Sequence, residues 1–267
     1  MRITRFITPD NEIMYGEDEG EERALILRGD PWQGFETTSK RVVIGERLAP
    51  VQPINIFCIG LNYKAHAEET GASLPQNPVI FMKPTTALNH PDSEIVLPAC
   101  CRDEPEVDYE AELAVVIGKA ARNVSEEDAL EYVFGYTCAN DVSARRWQKH
   151  GGGGQWVKGK SFDSFCPLGP VLVTAEEITD PQTLKVESIL NGKLMQEGHT
   201  SDMVFPVARL IHLLSQDTTL LPGTVILTGT PAGVGFTRKP PVYLAAGDRI
   251  EIRVSGIGTL VNTVVQG

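Results

Sequence analysis

The residues best placed to do chemistry lie in Val107-Asp108-Tyr109-Glu110-Ala111-Glu112-Leu113-Ala114-Val115. On a strand, alternation puts Val107, Tyr109, Ala111, Leu113 and Val115 on one face and Asp108, Glu110 and Glu112 on the other. One reading is an ordinary half-exposed strand with a solvated acidic face. Two carboxylates ~6–7 Å apart repel by only ~2–3 kcal/mol at an effective dielectric of 20, which an exposed face tolerates. In a cleft the same pair needs a cation, and carboxylate oxygens suit a hard ion, Mg²⁺, Mn²⁺ or Ca²⁺, rather than zinc. Asp141 adds a third acid. It stands in the mostly uncharged run Gly135-Tyr136-Thr137-Cys138-Ala139-Asn140-Asp141-Val142-Ser143, where a surface acid is less expected. A turn or helix cap ahead of Val142 remains the alternative.

His66 and Glu69 fall at i, i+3 in Asn62-Tyr63-Lys64-Ala65-His66-Ala67-Glu68-Glu69, so a helix would place both on one face. There a carboxylate orients imidazole and raises its basicity, although the same spacing also fits a weak surface ion pair. Lys160, in Gly159-Lys160-Ser161-Phe162-Asp163, reads by default as a surface lysine. Gly229-Thr230-Pro231-Ala232-Gly233-Val234-Gly235 follows an apolar strand and offers backbone N–H groups to an anion. It matches neither the Walker pattern nor G-x-G-x-x-G, so nucleotide binding is unsupported. His150-Gly151-Gly152-Gly153 mimics a lipase oxyanion motif, but the chain has no G-x-S-x-G to supply the nucleophile.

These residues must be positioned by short strands. Ile54 to Ile59, Val79 to Met82, Glu94 to Leu97, Val107 to Ile117, Val171 to Thr174, Lys185 to Leu190, Thr224 to Leu227 and Arg249 to Val254 all read as strands. Helices are expected at Asn62 to Glu69, capped by Asn62 and closed by Gly71, at Ser125 to Phe134 behind a Ser-x-x-Asp cap, and at Pro206 to Gln216. Residues 1–50 read as a small β-rich module, set off by the connector Leu48-Ala49-Pro50-Val51-Gln52-Pro53. Regular β-α alternation is missing, so the pattern points to a β-rich α+β fold rather than a doubly wound sheet.

Composition narrows the partners. Lys plus Arg is 24 and Asp plus Glu is 35, giving a formal charge of −11 across 267 residues. That surface repels nucleic acid and anionic membranes. The cysteines, Cys58, Cys100, Cys101, Cys138 and Cys166, are odd in number and lack a C-x-x-C pair, which argues against disulfides and zinc ribbons. No secretory leader is read at the N-terminus and no apolar run approaches the ~18 residues of a membrane helix, so a cytoplasmic protein is expected.

Taken together, the motifs resemble the fumarylacetoacetate hydrolase superfamily over about Ile54 to Val265. The resemblance rests on Gly60-Leu61-Asn62-Tyr63 with His66 and Glu69, Phe81-Met82-Lys83-Pro84, Asp108-Tyr109-Glu110-Ala111-Glu112, Asn140-Asp141-Val142-Ser143-Ala144-Arg145, Lys160-Ser161-Phe162-Asp163, and Thr228 to Gly235, in that order. It implies a mixed β-sandwich roll over residues 54–265 behind a small N-terminal β-rich domain, and a homodimer. It implies Mg²⁺ or Mn²⁺ held by Glu110, Glu112 and Asp141, with Lys160 near the metal and the substrate oxygens. It implies a His66–Glu69 dyad on a lid, and substrate contacts from Arg145, Gln148 and Thr230. The implied substrate is a small 2-oxo or 2,4-dioxo acid of the acylpyruvate kind, cleaved at a C–C bond by a hydrolase or lyase. The alternatives are an isomerase or decarboxylase of 2-hydroxyhepta-2,4-diene-1,7-dioate-type products, an oxaloacetate decarboxylase, and a metal-binding protein without activity.

Overall fold

A computed structural model describes residues 1–102 and 104–267. The described strands form a twelve-stranded sheet, a five-stranded sheet and a two-stranded ladder. Along the large sheet the order is Gly34–Val43, Arg23–Asp30, Ile13–Gly20, Arg2–Ile7, Cys166–Thr174, Val133–Asn140, Ala111–Ile117, Thr224–Leu227, Asn55–Gly60 and Val79–Lys83. Most neighbours are antiparallel. Thr224–Leu227 is parallel to Asn55–Gly60, and in the smaller sheet Gly258–Gln266 is parallel to Glu94–Leu97. The expected β-rich, mixed architecture is what these residues build. No described helix is long and apolar enough to cross a membrane.

Ala111–Ile117 sits inside the large sheet and is buried along its whole length. Leu113, Val115 and Ile117 share one cluster with Ile250, Ile252 and Leu260 of the five-stranded sheet. Ala114 and Val116 share another with Ile56, Leu172 and Leu227. Apolar packing on both faces explains the unbroken apolar run after Glu112. Each large aliphatic side chain so buried stabilises the fold by ~1.5–3 kcal/mol. The N-terminal meander extends the same sheet, because Arg2–Ile7 pairs with Cys166–Thr174, Arg2 opposite Val173.

Three local expectations change. The strand expected across Val107 to Ile117 is broken: Val107–Asp108 pairs with Ser143–Ala144, and a separate strand begins at Ala111. Ser125 does form its cap, its Oγ accepting from Asp128 N–H at 3.1 Å. The turn continues only as a 3₁₀ segment at Ala129–Tyr132, because Val133 onward is drawn into the sheet between Ala111–Ile117 and Cys166–Thr174. Tertiary pairing overrides the local signal. The helix near His66 spans Lys64–Thr70 and ends at left-handed Gly71, but Asn62 does not cap it. Asp202 Oδ2 accepts from Ala65 N–H at 3.1 Å instead. Asn62 is committed elsewhere, donating to the Thr228 and Phe205 carbonyls at 2.7 and 3.1 Å and accepting from Phe205 N–H at 2.8 Å.

Candidate active site

Register assembles the acids. Ala111 lies opposite Asn140 at adjoining strand ends. Asp141 N–H donates to the Glu110 carbonyl at 2.9 Å, and Glu110 N–H donates to Asn140 Oδ1 at 3.1 Å. One carboxylate oxygen each from Glu110, Glu112 and Asp141 thereby falls within 4.8 Å of the others, with all three residues buried. The solvated-face alternative ends there. Asp108, beyond the strand break, turns away from this cluster. It accepts from Gly235 N–H at 2.8 Å, Phe236 N–H at 3.0 Å and Arg145 Nε at 2.9 Å.

Buried cations answer most of that negative charge. Lys160 Nζ donates to Glu110 Oε2 at 2.8 Å and Asp141 Oδ2 at 2.7 Å, so it is no surface lysine. Arg145 Nη1 reaches Glu110 Oε1 at 2.6 Å and Gln148 Oε1 at 3.0 Å. Lys83 Nζ lies 2.7 Å from Asp141 Oδ1. Its hydrogens, however, go to the carbonyls of Val142, Lys160 and Phe165 at 3.1, 2.6 and 2.9 Å. That contact is therefore ionic, and Asp141 Oδ1 is a buried acceptor with no hydrogen-bond donor.

Glu112 has no cationic partner among the described residues. It accepts one hydrogen bond, from Gly229 N–H at 2.6 Å. Burial and the nearby charges of Asp141 and Glu110 push its carboxyl well above the ordinary range. Burial would raise Glu110 too, but the charges of Lys160 and Arg145 outweigh it and hold that carboxyl low. Burial opposes the Lys160 charge, and the Asp141 and Glu110 charges more than offset it, so the ammonium persists. A donorless Asp141 oxygen, an unpaired Glu112 and an all-oxygen donor set fit a hard divalent cation. Glu110, Glu112 and Asp141 are the residues that would hold it.

These groups border a cavity of roughly 230 Å³ lined by His66, Glu110, Arg145, Gln148, Lys160 and Thr230, among others. That is below the ~300–1,000 Å³ of pockets for drug-sized ligands, a size that suits a small molecule. The His66–Glu69 spacing produces a real pair: Nδ1 and Oε1 are 2.7 Å apart. Glu69 Oε2 also accepts from Gly233 N–H at 2.9 Å and Thr237 Oγ1 at 3.0 Å. Burial pushes the Glu69 carboxyl up, but the hydrogen bonds from His66, Gly233 and Thr237 prevail and hold it below its ordinary value. Glu69 thus orients His66 and latches the short helix onto the loop that carries Thr230. Thr230 lines the cavity with its hydroxyl already engaged, donating to the Ala111 carbonyl at 2.9 Å and accepting from Gln196 at 2.7 Å.

The lid implied for the His66–Glu69 dyad cannot extend back to Asn62 in this geometry. Asn62 and Tyr63 are fully buried, so any opening hinges after Tyr63. Amides of residues 64–76 should exchange more slowly when oxalate is added to Mg²⁺-loaded protein, whereas Asn62 and Tyr63 stay protected throughout. Hydrogen exchange followed by mass spectrometry reads this, and identical protection of 64–76 with and without oxalate removes the lid.

Several contributors escaped the sequence reading. Lys83 carries an inward alternation with Phe81 while Ile80 and Met82 face out, a signal present in the strand but masked by its apolar neighbours. Gln196 ties Ala111 N–H to Thr230 and the Pro231 carbonyl. Trp156 and Phe236 complete the cavity wall from distant segments.

A family model described as fumarylacetoacetate (FAA) hydrolase C-terminal matches residues 55–265. A mitochondrial oxaloacetate tautomerase of Bos taurus is 48% identical over 219 residues, covering 82% of this chain and 69% of the relative. A 2-hydroxyhepta-2,4-diene-1,7-dioate isomerase from Mycobacterium marinum superposes with a TM-score of 0.85 at 38% identity, covering 100% of this chain and 98% of that one. A 5-carboxymethyl-2-hydroxymuconate delta-isomerase from Mycobacterium smegmatis gives a TM-score of 0.86 at 38% identity, covering 100% of both chains.

Proposed function

The chain belongs to the fumarylacetoacetate hydrolase family, and from that premise we propose that it is a metal-dependent enol–keto isomerase of a small 2-oxo acid. The observation that carries this reading is the buried Glu110–Glu112–Asp141 cluster, whose Glu110 lines one small cavity with Lys160 and the oriented His66. Hydrolysis, first among the expectations, gives way to the isomerase alternative, because these relatives are named for tautomerisation and isomerisation.

When bound, Mg²⁺ or Mn²⁺ supplies Lewis-acid polarisation of the 2-oxo group. Neutral His66 accepts the proton leaving C3 at Nε2, the nitrogen that Glu69 does not occupy. The electron pair of that C–H bond forms C2=C3, and negative charge appears on the C2 oxygen. Lys160, held charged by Glu110 and Asp141, compensates it at short range. Return of the proton from imidazolium to that oxygen gives the enol, and the reverse sequence regenerates the ketone. The proton count is zero in either direction.

The test is proton NMR in D₂O with Mg²⁺-loaded protein and oxaloacetate. Accelerated exchange at C3 and faster enol–keto equilibration than with Mg²⁺ alone are expected. Rates equal to the metal-only control, with release of a cleaved acid from an acylpyruvate, would return the protein to the hydrolytic alternative.

A further inference from the structure

We infer that Lys149 selects substrates with a second carboxylate, so that the site takes 2-oxo dicarboxylates in preference to 2-oxo acids with neutral tails. The inference rests on the isomerase reading above and names the substrate class for that site. The charged groups lining the cavity are nearly all spoken for. Arg145 is paired with Asp108 and Glu110, Lys160 with Glu110 and Asp141, and His66 with Glu69. Lys149 lines the same cavity and forms no ion pair among the described residues, Asp108 acting on it only at longer range. Its Nζ instead rests 4.2 Å from the centroid of the Phe236 ring, which also carries the Arg145 guanidinium carbon at 4.5 Å.

The backbone that carries that ring is anchored, since Phe236 N–H donates to Asp108 Oδ2 at 3.0 Å. Phe236 therefore acts as a shelf. On it the ammonium rests without an ion-pair partner, sharing the ring with an arginine that itself touches the proposed metal ligand Glu110. Gln148, the preceding residue, is locked to Arg145 Nη1 at 3.0 Å, which fixes where the chain delivers Lys149. Burial and the Arg145 charge disfavour the Lys149 cation and outweigh the favourable charge of Asp108, so its proton affinity is lowered. An incoming carboxylate offsets both penalties, because it supplies an opposite charge beside an ammonium that forms no ion pair. A methyl ketone tail offers nothing to Lys149 and leaves the ammonium as it was. The discrimination therefore sits in the tail and leaves the reacting carbons alone, which separates binding from chemistry.

Two substrates isolate the effect. Oxaloacetate and acetylpyruvate both enolise at C3, and only the first ends in a carboxylate. In Lys149→Met protein loaded with Mg²⁺, KM and calorimetric Kd for oxaloacetate should rise about tenfold with kcat within about twofold of wild type. Values for acetylpyruvate should stay put. Lys149→Glu should widen the oxaloacetate loss, and Lys149→Arg should restore most of it. Added salt should weaken oxaloacetate selectively in the wild type. Equal shifts for both ligands would make Lys149 part of the wall, and no shift for either would make it a bystander; each result overturns the inference. Binding is measured beside turnover to keep the two readings apart. Lys149-dependent preference without turnover sinks the isomerase and keeps the selector, while turnover without preference does the opposite.

Discussion

In Glu112→Gln protein, affinity for Mg²⁺ or Mn²⁺ falls roughly tenfold or more and turnover is lost, while the metal-free fold is as stable as wild type or more so. The two halves of that result have one cause. Glu112 is buried, and the charges of Asp141 and Glu110 join burial in raising its carboxyl above the ordinary range. An acid raised on folding costs nothing below its unfolded value, about 4.3, and penalises the fold increasingly as pH climbs toward the folded value. Glutamine keeps an acceptor for Gly229 N–H and never ionises. Metal-free Glu112→Gln therefore melts at or above wild type at neutral pH, and the gap closes as pH falls toward about 4–5. A cation reverses the order. Binding to the folded state alone stabilises it by about 2.7 kcal/mol at a hundredfold excess over Kd. At the same concentration, Mg²⁺ should raise the variant's Tm distinctly less than the wild type's. Calorimetry and thermal melts with and without metal read both halves, and an unchanged metal Kd in Glu112→Gln would remove Glu112 from the ligand set.

Why that cluster was partly legible in the sequence, and its surroundings were not, follows from the range of the signals. Glu110 and Glu112 share a face through a period of two, and His66 and Glu69 share one through i, i+3; both are local regularities that the fold keeps. Asp141 stood out only because its neighbours are uncharged, and the pairing of Ala111 with Asn140 is what brings it alongside. Where long-range contacts compete, local reading fails. Asp108 shares the alternation of Glu110 yet leaves the cluster, since Gly235 and Phe236 N–H groups and Arg145 claim it. Ser125 caps as its pattern says, and the sheet still takes Val133. Asn62 has the right residue type for a cap and spends it crosslinking Phe205 to Thr228. Phe236 and Lys149 matter only through partners far along the chain, so no window of sequence contains their signal.

His66→Ala should lose about 10²–10⁴-fold in kcat for enol–keto exchange, the range expected when a positioned base is removed. Metal affinity should hold, because His66 is not among the carboxylates that meet within 4.8 Å. Glu69→Gln is the more informative change. Glu69 accepts from His66 Nδ1, Gly233 N–H and Thr237, and an amide cannot accept on both of its ends. If the amide oxygen stays on Gly233, its NH₂ faces Nδ1 and forces the tautomer whose Nε2 already carries a proton, so that nitrogen no longer takes one from C3. If the oxygen stays on His66, the NH₂ opposes Gly233 N–H and the latch on the helix loosens. In the first case kcat falls about tenfold or more while oxalate affinity is kept; in the second oxalate affinity falls as well. Decarboxylation of oxaloacetate breaks C3–C4 and takes no proton from C3, so it should suffer less than tautomerisation in both variants. The assay is kcat for both reactions on oxaloacetate under saturating Mg²⁺, alongside oxalate Kd, for wild type, His66→Ala and Glu69→Gln. Equal losses in both reactions, tracking a loss of oxalate affinity, would assign the dyad to closing the helix over the cavity and withdraw His66 as the base.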